Sequence, residues 1–452
     1  MHPIIIIGNG ISGVTAARQI RKRQPKTPIL LISGETDYHF SRTALMYVFM
    51  GHMNFKDIQP YEDHFWSDNK IDLLRAWVTK IDSPNNQIIL QNDDKIEYSH
   101  LILAVGSTPN KFGWPGQDLL GAQGLYTKQD LDQMEERAKI AKHAVIVGGG
   151  LIGIEMAEML VSRGIGVTFL VREKKFWGSV IPQEEAEMVE RHIYEHHIDL
   201  RMGDELDTIH QGPDGGVAKI TTKSGEEIPC EIVGLTAGVR PNIGWLKGTE
   251  ALDMERGIMI DHHFRTSLPN VWSIGDCAQF RDPLPGRRPL EQVWYTGKMQ
   301  ATYLAENLCG TEKPYAPGIW WNSAKFLDIE YQTYGIVMPT PQEGEETFYW
   351  ENQELKCSVR INFRSDTRAV TGVNVFGIRH RHQVWEQWIT DEKPVEEVIS
   401  ELAAANFDPE FFKKHEAAVI ELWNKEHPQS QVQATVKKGL FSKILTKINA
   451  FD

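Results

Sequence analysis

Apolar runs alternate with helical patterns along residues 1–315 of the chain. Two of these runs, 4–7 and 144–147, lead through closely spaced glycines into helical patterns over about 11–24 and 151–163. Short continuous apolar runs of this kind are typical of strands that are buried on both faces of a parallel sheet. The pattern therefore predicts two α/β units in series, each organised around a parallel sheet.

Further apolar runs complete both units in the same order, and the pattern changes after them. The predicted strands are 28–33 and 101–107 in the first unit, 167–171 and 232–238 in the second, and 271–276 beyond. After about residue 316 the strands 358–363 and 369–376 alternate between two faces, which is typical of an antiparallel sheet. Helical patterns follow from about 383 to 425. We therefore expect a third domain of the α+β class.

Both units carry the glycine signature G-x-G-x-x-G directly after the first strand. The glycines are Gly8, Gly10 and Gly13 in the first unit, and Gly148, Gly150 and Gly153 in the second. In this signature the first glycine allows the tight turn, the second lets the backbone approach a pyrophosphate, and the third packs helix on strand. The helix N-terminus then offers N–H groups and a positive dipole to the phosphates. Two copies in this context predict two dinucleotide sites, although one copy alone could be purely structural.

A carboxylate supports the first of these sites. Glu35 follows the second strand, about 20 residues after the glycine turn, where an acid normally accepts the ribose hydroxyls of an adenine nucleotide. The alternative is a solvated carboxylate in a loop.

Composition and charge exclude several classes of protein. With 41% hydrophobic and 24% charged residues the chain has the composition of a folded globular protein. A net charge of -13 argues against a nucleic-acid binder, because there is no basic surplus to neutralise phosphates. We see no apolar run of 18 residues and no signal peptide, so we expect a cytoplasmic protein. The four cysteines lack paired spacing and are expected to be buried and inert; they are Cys230, Cys277, Cys309 and Cys357.

The last segment differs from the rest of the chain. Within residues 436–452, apolar residues recur on one helical face and four lysines flank them. A basic amphipathic helix can lie on an anionic membrane surface, which would place the protein peripherally on the inner membrane surface. Docking on its own domain or on another subunit is equally compatible with the pattern.

Three further motifs, together with the glycine turns, make the chain similar to a known superfamily. Ser41-Arg42 with Leu45 resembles an S-R-P-x-L segment, Ala104-Val105-Gly106-Ser107 resembles an A-T-G-S/A strand end, and Ile274-Gly275-Asp276-Cys277-Ala278 resembles a G-D motif. The chain thereby resembles the FAD-dependent pyridine nucleotide-disulfide oxidoreductase superfamily. Within it, the chain looks most like the branch of ferredoxin and rubredoxin reductases, apoptosis-inducing factor and the nitrite reductase flavin domain.

The resemblance implies two Rossmann-like domains, the second inserted in the first, and a C-terminal α+β domain. It implies an FAD-binding domain at 1–112 and 245–315, an NAD(P)-binding domain at 113–244, an interface-type domain at 316–428, and a linker with the basic tail at 429–452. The cofactors would be FAD and NAD(P)H. The expected cofactor-binding residues are Gly8, Gly10, Ile11, Ser12, Gly13, Glu35, Arg42, Ala104, Gly106, Gly148, Gly150, Ile152, Gly153, Arg172, Gly238, Gly275, Asp276 and Trp294.

Two departures from the family limit the chemistry. The resemblance places a lysine, paired near the flavin with the glutamate matching Glu155, where this chain has Tyr47. Glu155 and Tyr47 are therefore the expected catalytic positions, and Glu155 could either bond Tyr47 or remain unpaired. The cysteine nucleophile of related peroxidases and disulfide reductases is absent from 41–46, which disfavours those reactions. Trp294 follows the G-D motif where relatives cover the flavin, although a structural helix entry is the alternative.

The choice of nicotinamide nucleotide depends on the end of the strand 167–171. NADH-specific relatives place an acid at the position of Val171, whereas this chain continues with Arg172, and with Lys174 and Lys175 beyond. These cations could hold a 2′-phosphate. Glu173 could serve as the ribose acid if the register shifts by two residues, and the cations could simply be solvated. The pattern slightly favours NADPH and leaves NADH open.

The resemblance implies hydride transfer from NAD(P)H to FAD, followed by electron transfer to an acceptor that the sequence does not identify. We expect a small redox protein such as a ferredoxin or rubredoxin. A peripheral membrane quinone reductase and a signalling or scaffold flavoprotein with low turnover are the alternatives. The third domain resembles the dimerisation or interface domain of relatives, which makes a homodimer one expectation.

Overall fold

The protein is described by a computed structural model that covers residues 2–407 and 413–435. The basic tail predicted at 436–452 lies outside the described residues. The described residues form two compact units, 2–178 with 189–317, and 179–188 with 318–407 and 413–435. The predicted limits of the two dinucleotide domains stay predictions.

The described residues form 25 strands and ten α-helices. The strands are β1 (Ile4–Ile7), β2 (Ile29–Ser33), β3 (Ile71–Arg75), β4 (Val78–Asp82), β5 (Gln87–Leu90), β6 (Lys95–Glu97), β7 (His100–Leu103), β8 (Ser107–Pro109), β9 (Ala122–Gln123), β10 (His143–Val147), β11 (Gly166–Val171), β12 (Asp199–Met202), β13 (Leu206–Gln211), β14 (Val217–Thr222), β15 (Glu227–Pro229), β16 (Ile232–Leu235), β17 (Val239–Pro241), β18 (Ile258–Ile260), β19 (Val271–Ser273), β20 (Ala278–Phe280), β21 (Trp321–Phe326), β22 (Ile329–Gly335), β23 (Glu345–Asn352), β24 (Cys357–Arg364) and β25 (Val370–Phe376). The helices are α1 (Ile11–Arg23), α2 (Leu45–Phe49), α3 (His64–Asp68), α4 (Lys128–Ala138), α5 (Leu151–Ser162), α6 (Gln183–Glu195), α7 (Trp294–Leu308), α8 (His382–Thr390), α9 (Val395–Ser400) and α10 (Glu416–Glu426).

The first unit contains two five-stranded sheets whose strands are all parallel. One has the order β19-β7-β1-β2-β3. Its central strand β1 is apolar at every position because both faces are covered. Ile4 and Ile6 pack into one core with α1, and Ile5 and Ile7 pack into a second core with Leu103 of β7. This arrangement confirms the predicted buried parallel strand.

The other sheet repeats the plan, in the order β12-β11-β10-β16-β9. Val145 and Val147 pack into a core that includes residues of the three-stranded sheet β13–β15. The strands β7 and β16 are shorter than the predicted strands 101–107 and 232–238. Both stop before a glycine with positive φ, Gly106 at 66° and Gly238 at 85°, where the backbone leaves the extended conformation.

The second unit is built around the antiparallel sheet β21-β22-β25-β24-β23. One face carries alternating apolar residues of β24 and β25, and these pack with Trp385, Trp388 and Trp423 from the helices α8 and α10. The predicted α+β character of this region is therefore confirmed.

The opposite face of this sheet is polar and buried. Arg360 of β24 donates from Nε to Glu185 Oε1 at 3.0 Å and from NH2 to Glu184 Oε2 at 2.7 Å. Asn374 also donates to Glu185, at 2.8 Å. Burial raises the pKa of Glu185 to about 7, against the opposing influence of Arg360 and Asn374. Residues 179–188 are thus anchored in this unit by charge and hydrogen bonds.

Candidate dinucleotide sites

The first glycine turn joins β1 to α1 with very little space. Gly8 has φ of 109°, and a β-carbon on it would lie 2.1 Å from the carbonyl oxygen of Ala104. A β-carbon on Gly13 would lie 1.9 Å from the carbonyl oxygen of Gly8. Only glycine fits at both positions, because any side chain would overlap the backbone. Gly8 and Gly13 therefore bring β7, β1 and α1 into close contact.

Gly10 has a different environment. A β-carbon on Gly10 would meet no protein atom within 4 Å, and its φ of -68° is open to any residue. No acidic residue lies in the first turn of α1, and no side chain caps the helix. The helix N-terminus therefore presents N–H groups next to open space, which is what an incoming pyrophosphate requires. The turn fits the dinucleotide that the glycine spacing predicts.

Ser12 and Asn9 connect this turn to neighbouring segments. Ser12 is buried, and its Oγ lies 2.5 Å from where a β-carbon of Gly275 would stand. Asn9 donates from Nδ2 to the Thr36 carbonyl oxygen at 3.0 Å, and its own carbonyl oxygen accepts from Nδ1 of His39 at 2.7 Å. Burial lowers the pKa of His39 to about 4, so the ring is neutral at pH 7. Sequence reasoning missed both residues, because Asn9 occupies an x position of the signature, which carries no pattern, and His39 lies 30 residues further along the chain.

Glu35 follows β2 and is held by three donors. The guanidinium of Arg42 donates to both carboxylate oxygens, at 3.0 and 2.7 Å, and the backbone N–H of Lys128 donates to Oε1 at 2.9 Å. A carboxylate can accept about four hydrogen bonds, so Glu35 keeps capacity for a ribose hydroxyl. The structure thus brings together Glu35 and Arg42, which the sequence had only placed near the same cofactor.

Asp276 lies in a single 3-10 turn, Gly275–Cys277, directly after β19. Ser107 Oγ donates to Asp276 Oδ2 at 3.0 Å, and Ser107 Oγ accepts from Gln292 Nε2 at 2.7 Å. Burial raises the pKa of Asp276, while Ser107 and Arg42 oppose this shift. The Ser107 hydroxyl therefore fixes the orientation of the Asp276 carboxylate.

Tyr126 joins these groups although no sequence motif identifies it. Its ring lies against the Arg42 guanidinium, 4.4 Å from the guanidinium carbon to the ring centroid, and Arg42 also donates to the Tyr126 carbonyl oxygen. Its hydroxyl accepts from the Ser107 N–H at 2.8 Å and donates to Asp276 at 3.4 Å. A β-carbon on Gly106 would lie 2.8 Å from that hydroxyl. Tyr126 is 150 residues from Asp276, so only the folded chain reveals the contact.

The second glycine turn has the same construction. A β-carbon on Gly148 would lie 2.8 Å from backbone atoms of residues 236 and 237, and one on Gly153 would lie 2.7 Å from the Gly148 carbonyl oxygen. A β-carbon on Gly150 would meet only the Thr236 carbonyl oxygen, at 4.0 Å. The half-buried Ile152 follows in the first turn of α5, where no acidic residue lies. Open space at Gly150 thus matches open space at Gly10.

The strand β11 ends in an apolar residue followed by exposed cations. Val171 is fully buried, and its γ-carbons lie 3.1 Å from where a β-carbon of Gly149 would stand. The side chain of Arg172 is 71% exposed and pairs with Glu173 at 3.1 Å. Lys175 lies 3.7 Å from Glu190. Val171 has no polar side chain, so any side-chain hydrogen bond from this strand end to a nucleotide has to come from the residues that follow it.

The two expected catalytic positions lie on helices that contact each other. Tyr47 is part of α2 and Glu155 of α5, and both side chains are partly exposed. Arg163 links these segments, because its guanidinium donates from Nε to the Phe49 carbonyl oxygen at 2.9 Å and lies over the Phe49 ring. The Tyr47 ring stacks on His52 at 6.2 Å between centroids. A role of Tyr47 and Glu155 at the flavin stays a prediction.

The remaining predicted residues occupy loops and helix starts near these turns. Trp294 begins α7 and is 36% exposed, with the Lys298 ammonium 5.1 Å from its ring centroid. Ala104 is buried beside Gly8, and Ile11 is half-buried at the start of α1. A β-carbon on Gly238 would lie 3.3 Å from the amide nitrogen of Asn110. Their contacts with cofactors stay predictions.

All four cysteines lie in the described part of the chain, and all are free. Cys230, Cys277 and Cys357 are buried as expected, whereas Cys309 is only partly buried. Burial raises the pKa of Cys230 to about 12 and of Cys357 to about 11, so these thiols stay protonated at neutral pH.

The comparisons with known proteins agree with this geometry. Residues 2–305 match the family model described as pyridine nucleotide-disulphide oxidoreductase. A rubredoxin-NAD(+) reductase of Pseudomonas putida is 26% identical, over 82% of this chain and 98% of its own length. The covalent putidaredoxin reductase–putidaredoxin complex has a TM-score of 0.77 at 22% identity, covering 92% of this chain and 98% of the matched chain.

An engineered water-forming NADPH oxidase bound to NADPH has the same fold, with a TM-score of 0.80 at 18% identity over 95% of this chain and 99% of its own. None of the helices in the described part of the chain combines the length and apolar character that crossing a membrane requires. The family match spans more than half of the chain and includes both glycine turns. The chain belongs to the pyridine nucleotide-disulphide oxidoreductase family.

Proposed function

We propose that this protein is an FAD-dependent NAD(P)H oxidoreductase that passes electrons to a small redox protein. The observation that carries the proposal is the pair of glycine turns. A side chain at Gly8, Gly13 or Gly153 would overlap protein atoms, whereas the space next to Gly10 and Gly150 is open. Relatives named as rubredoxin and ferredoxin reductases support the same reaction.

In this proposal the first turn holds FAD and the second holds the exchangeable NAD(P)H. Bound FAD supplies the chemistry by accepting a hydride from NAD(P)H and passing electrons on singly. The N-terminus of α1 holds the pyrophosphate. Glu35 accepts a hydrogen bond from a ribose hydroxyl, and Asp276 accepts hydrogen bonds from hydroxyls of the ribityl chain. Ser107 keeps the Asp276 carboxylate in one orientation. The protein thus acts by binding and orientation.

NADPH is the preferred nucleotide in this proposal. The buried Val171 cannot accept ribose hydroxyls, and the exposed Arg172 directly after it can reach a 2′-phosphate. The engineered NADPH oxidase carries, among its substitutions, an aspartate changed to alanine and the next residue changed from alanine to arginine. The order in this chain, an apolar residue and then an arginine, is the same. Glu173 pairs with Arg172, so it would have to release Arg172 when NADPH binds.

Anaerobic reduction of the purified full chain tests the proposal. We expect a yellow protein whose bound flavin is reduced faster by NADPH than by NADH. Reoxidation is then measured with a rubredoxin, a [2Fe–2S] ferredoxin and a soluble quinone. Fast reoxidation by one of the two proteins supports the proposal. Preparations without flavin, or a reduced flavin that only the quinone reoxidises, would contradict it.

A further inference from the structure

Trp77 presents a large aromatic surface at the edge of the first parallel sheet. It lies between β3 and β4 and is 56% exposed. Tryptophan side chains are buried to a large extent on average, whereas more than half of this one is open to a ligand. The backbone around it is firmly held, because Ala76 donates to the Ser33 carbonyl oxygen at 3.1 Å and Gln91 donates to the Trp77 carbonyl oxygen at 2.9 Å.

The indole ring lies directly over Gly34, the residue before Glu35. A β-carbon on Gly34 would stand 2.2 Å from Cδ2 and 2.3 Å from Cε2 of Trp77, so the ring occupies the space of a missing side chain. The φ of Gly34 is outside the left-handed region, so its backbone conformation does not require glycine. Gly34 therefore leaves room for the Trp77 ring, which a side chain at this position would displace. The indole thus rests on the backbone and exposes its remaining surface.

Three neighbouring strands bring the relevant groups to the same edge. The strands β1, β2 and β3 are adjacent and parallel, and are followed by the Gly8–Gly13 turn, by Glu35 and by Trp77. Parallel strands lie about 4.8 Å apart, and their carboxyl ends share one edge. A nucleotide with its pyrophosphate at the first position and its ribose at the second extends its base towards the third.

We propose that Trp77 stacks on the adenine of FAD. In this proposal Gly34 allows the indole ring to pack directly on the backbone and so fixes the position of the ring. The inference rests on the proposed function, because it needs FAD at the first glycine turn. Every purine presents a flat π-face, and stacking on an aromatic side chain contributes about 1–3 kcal/mol per base. Trp77 is a binding residue that acts through its exposed face.

Substitution of the ring tests the stacking directly. The dissociation constant of FAD is measured by ultrafiltration of the full-length holoprotein at decreasing concentration. W77A is expected to raise this constant about 5- to 150-fold, the factor that corresponds to a stacked base. W77F keeps a smaller aromatic face and should lie between W77A and the wild type. F112A removes another exposed aromatic side chain and serves as the matched control, with no change expected.

Gly34 offers a second and independent test. G34A adds one methyl group that displaces the indole without straining the backbone, so it should weaken FAD binding in the wild type. In the W77A background the same change should have no further effect, because there is no ring left to displace. Equal effects of G34A in both backgrounds would overturn the inference.

The outcomes separate this inference from the proposed function. A purified protein without FAD would remove both. If FAD is bound but W77A binds it as tightly as the wild type, only the stacking is wrong. Loss of the fold in W77A is recognised by circular dichroism, and W77F and G34A then decide the question.

Discussion

Alanine at Gly10 and at Gly13 should separate the cofactor role of the first glycine turn from its structural role. A β-carbon on Gly10 finds no protein atom within 4 Å, whereas one on Gly13 lies 1.9 Å from a carbonyl oxygen. G10A is therefore compatible with the folded chain but occupies the space through which the pyrophosphate approaches. G13A overlaps the backbone of the turn itself.

The expected magnitudes follow from this contrast. Without FAD, G10A should leave the free energy of unfolding unchanged or raise it by about 0.4–1 kcal/mol, because alanine reduces the entropy of the unfolded chain. G13A should lower it by about 1–3 kcal/mol, the usual effect of overpacking. FAD at a hundred times its dissociation constant adds about 2.7 kcal/mol to the wild type, and G10A should lose this gain.

Chemical unfolding of the flavin-free variants, with and without added FAD, measures both quantities. G244A is the matched control, because a β-carbon at Gly244 also meets nothing within 4 Å but lies away from the turn. Two results would refute the reasoning. One is a G10A protein that binds FAD with wild-type affinity, and the other is a G13A protein as stable as the wild type without FAD.

Three further predictions follow from single side chains. R172E should lower the ratio of kcat/KM for NADPH over NADH roughly 10- to 150-fold, the value of about 1.5–3 kcal/mol for a hydrogen bond to a charged group; an unchanged ratio in steady-state assays would exclude Arg172 as the phosphate ligand. Burial raises the pKa of Glu185 to about 7, so the folded carboxyl keeps a proton that the unfolded chain loses above about pH 4.5. Stability of the C-terminal unit should therefore fall as pH rises from about 4.5 to 7, by at most about 1.4 kcal/mol per pH unit, and denaturant unfolding of E185Q should show a smaller slope; equal slopes would contradict the raised pKa. Treatment of the native protein with iodoacetamide should leave reductase activity unchanged, because burial keeps the thiols of Cys230, Cys277 and Cys357 protonated. Inactivation that mass spectrometry maps to one of these thiols would contradict the expectation that it is buried and inert.

Local patterns allowed much of the fold to be predicted. The strands β1 and β10 and the helices that follow them lie within one or two residues of their predicted positions, because a buried strand and a glycine turn are specified by neighbouring residues. The ends of β7 and β16 were predicted too late, because small and apolar residues continue beyond the last residue of each strand, up to a glycine with positive φ. Continuous apolar character therefore predicts burial better than it predicts the limits of pairing.

The candidate site was predictable only where a motif carried it. Gly10 and Gly150 follow from the signature, and the structure adds that both are open to a ligand. Tyr126 was not predictable, because its contacts with Asp276 and Ser107 join segments that are distant along the chain. The same holds for the pair of Glu185 and Arg360, which are 175 residues apart.

The sequence by itself determined the two dinucleotide turns, since the steric demand for glycine acts between residues that are close along the chain. Only the tertiary structure decided which side chains complete them. Trp77 is an example, because the position of its ring over Gly34 becomes visible only when β3 is placed beside β2. Contacts of this kind depend on the order of strands in the sheet, and that order is set by long-range packing, which no local pattern of residues records.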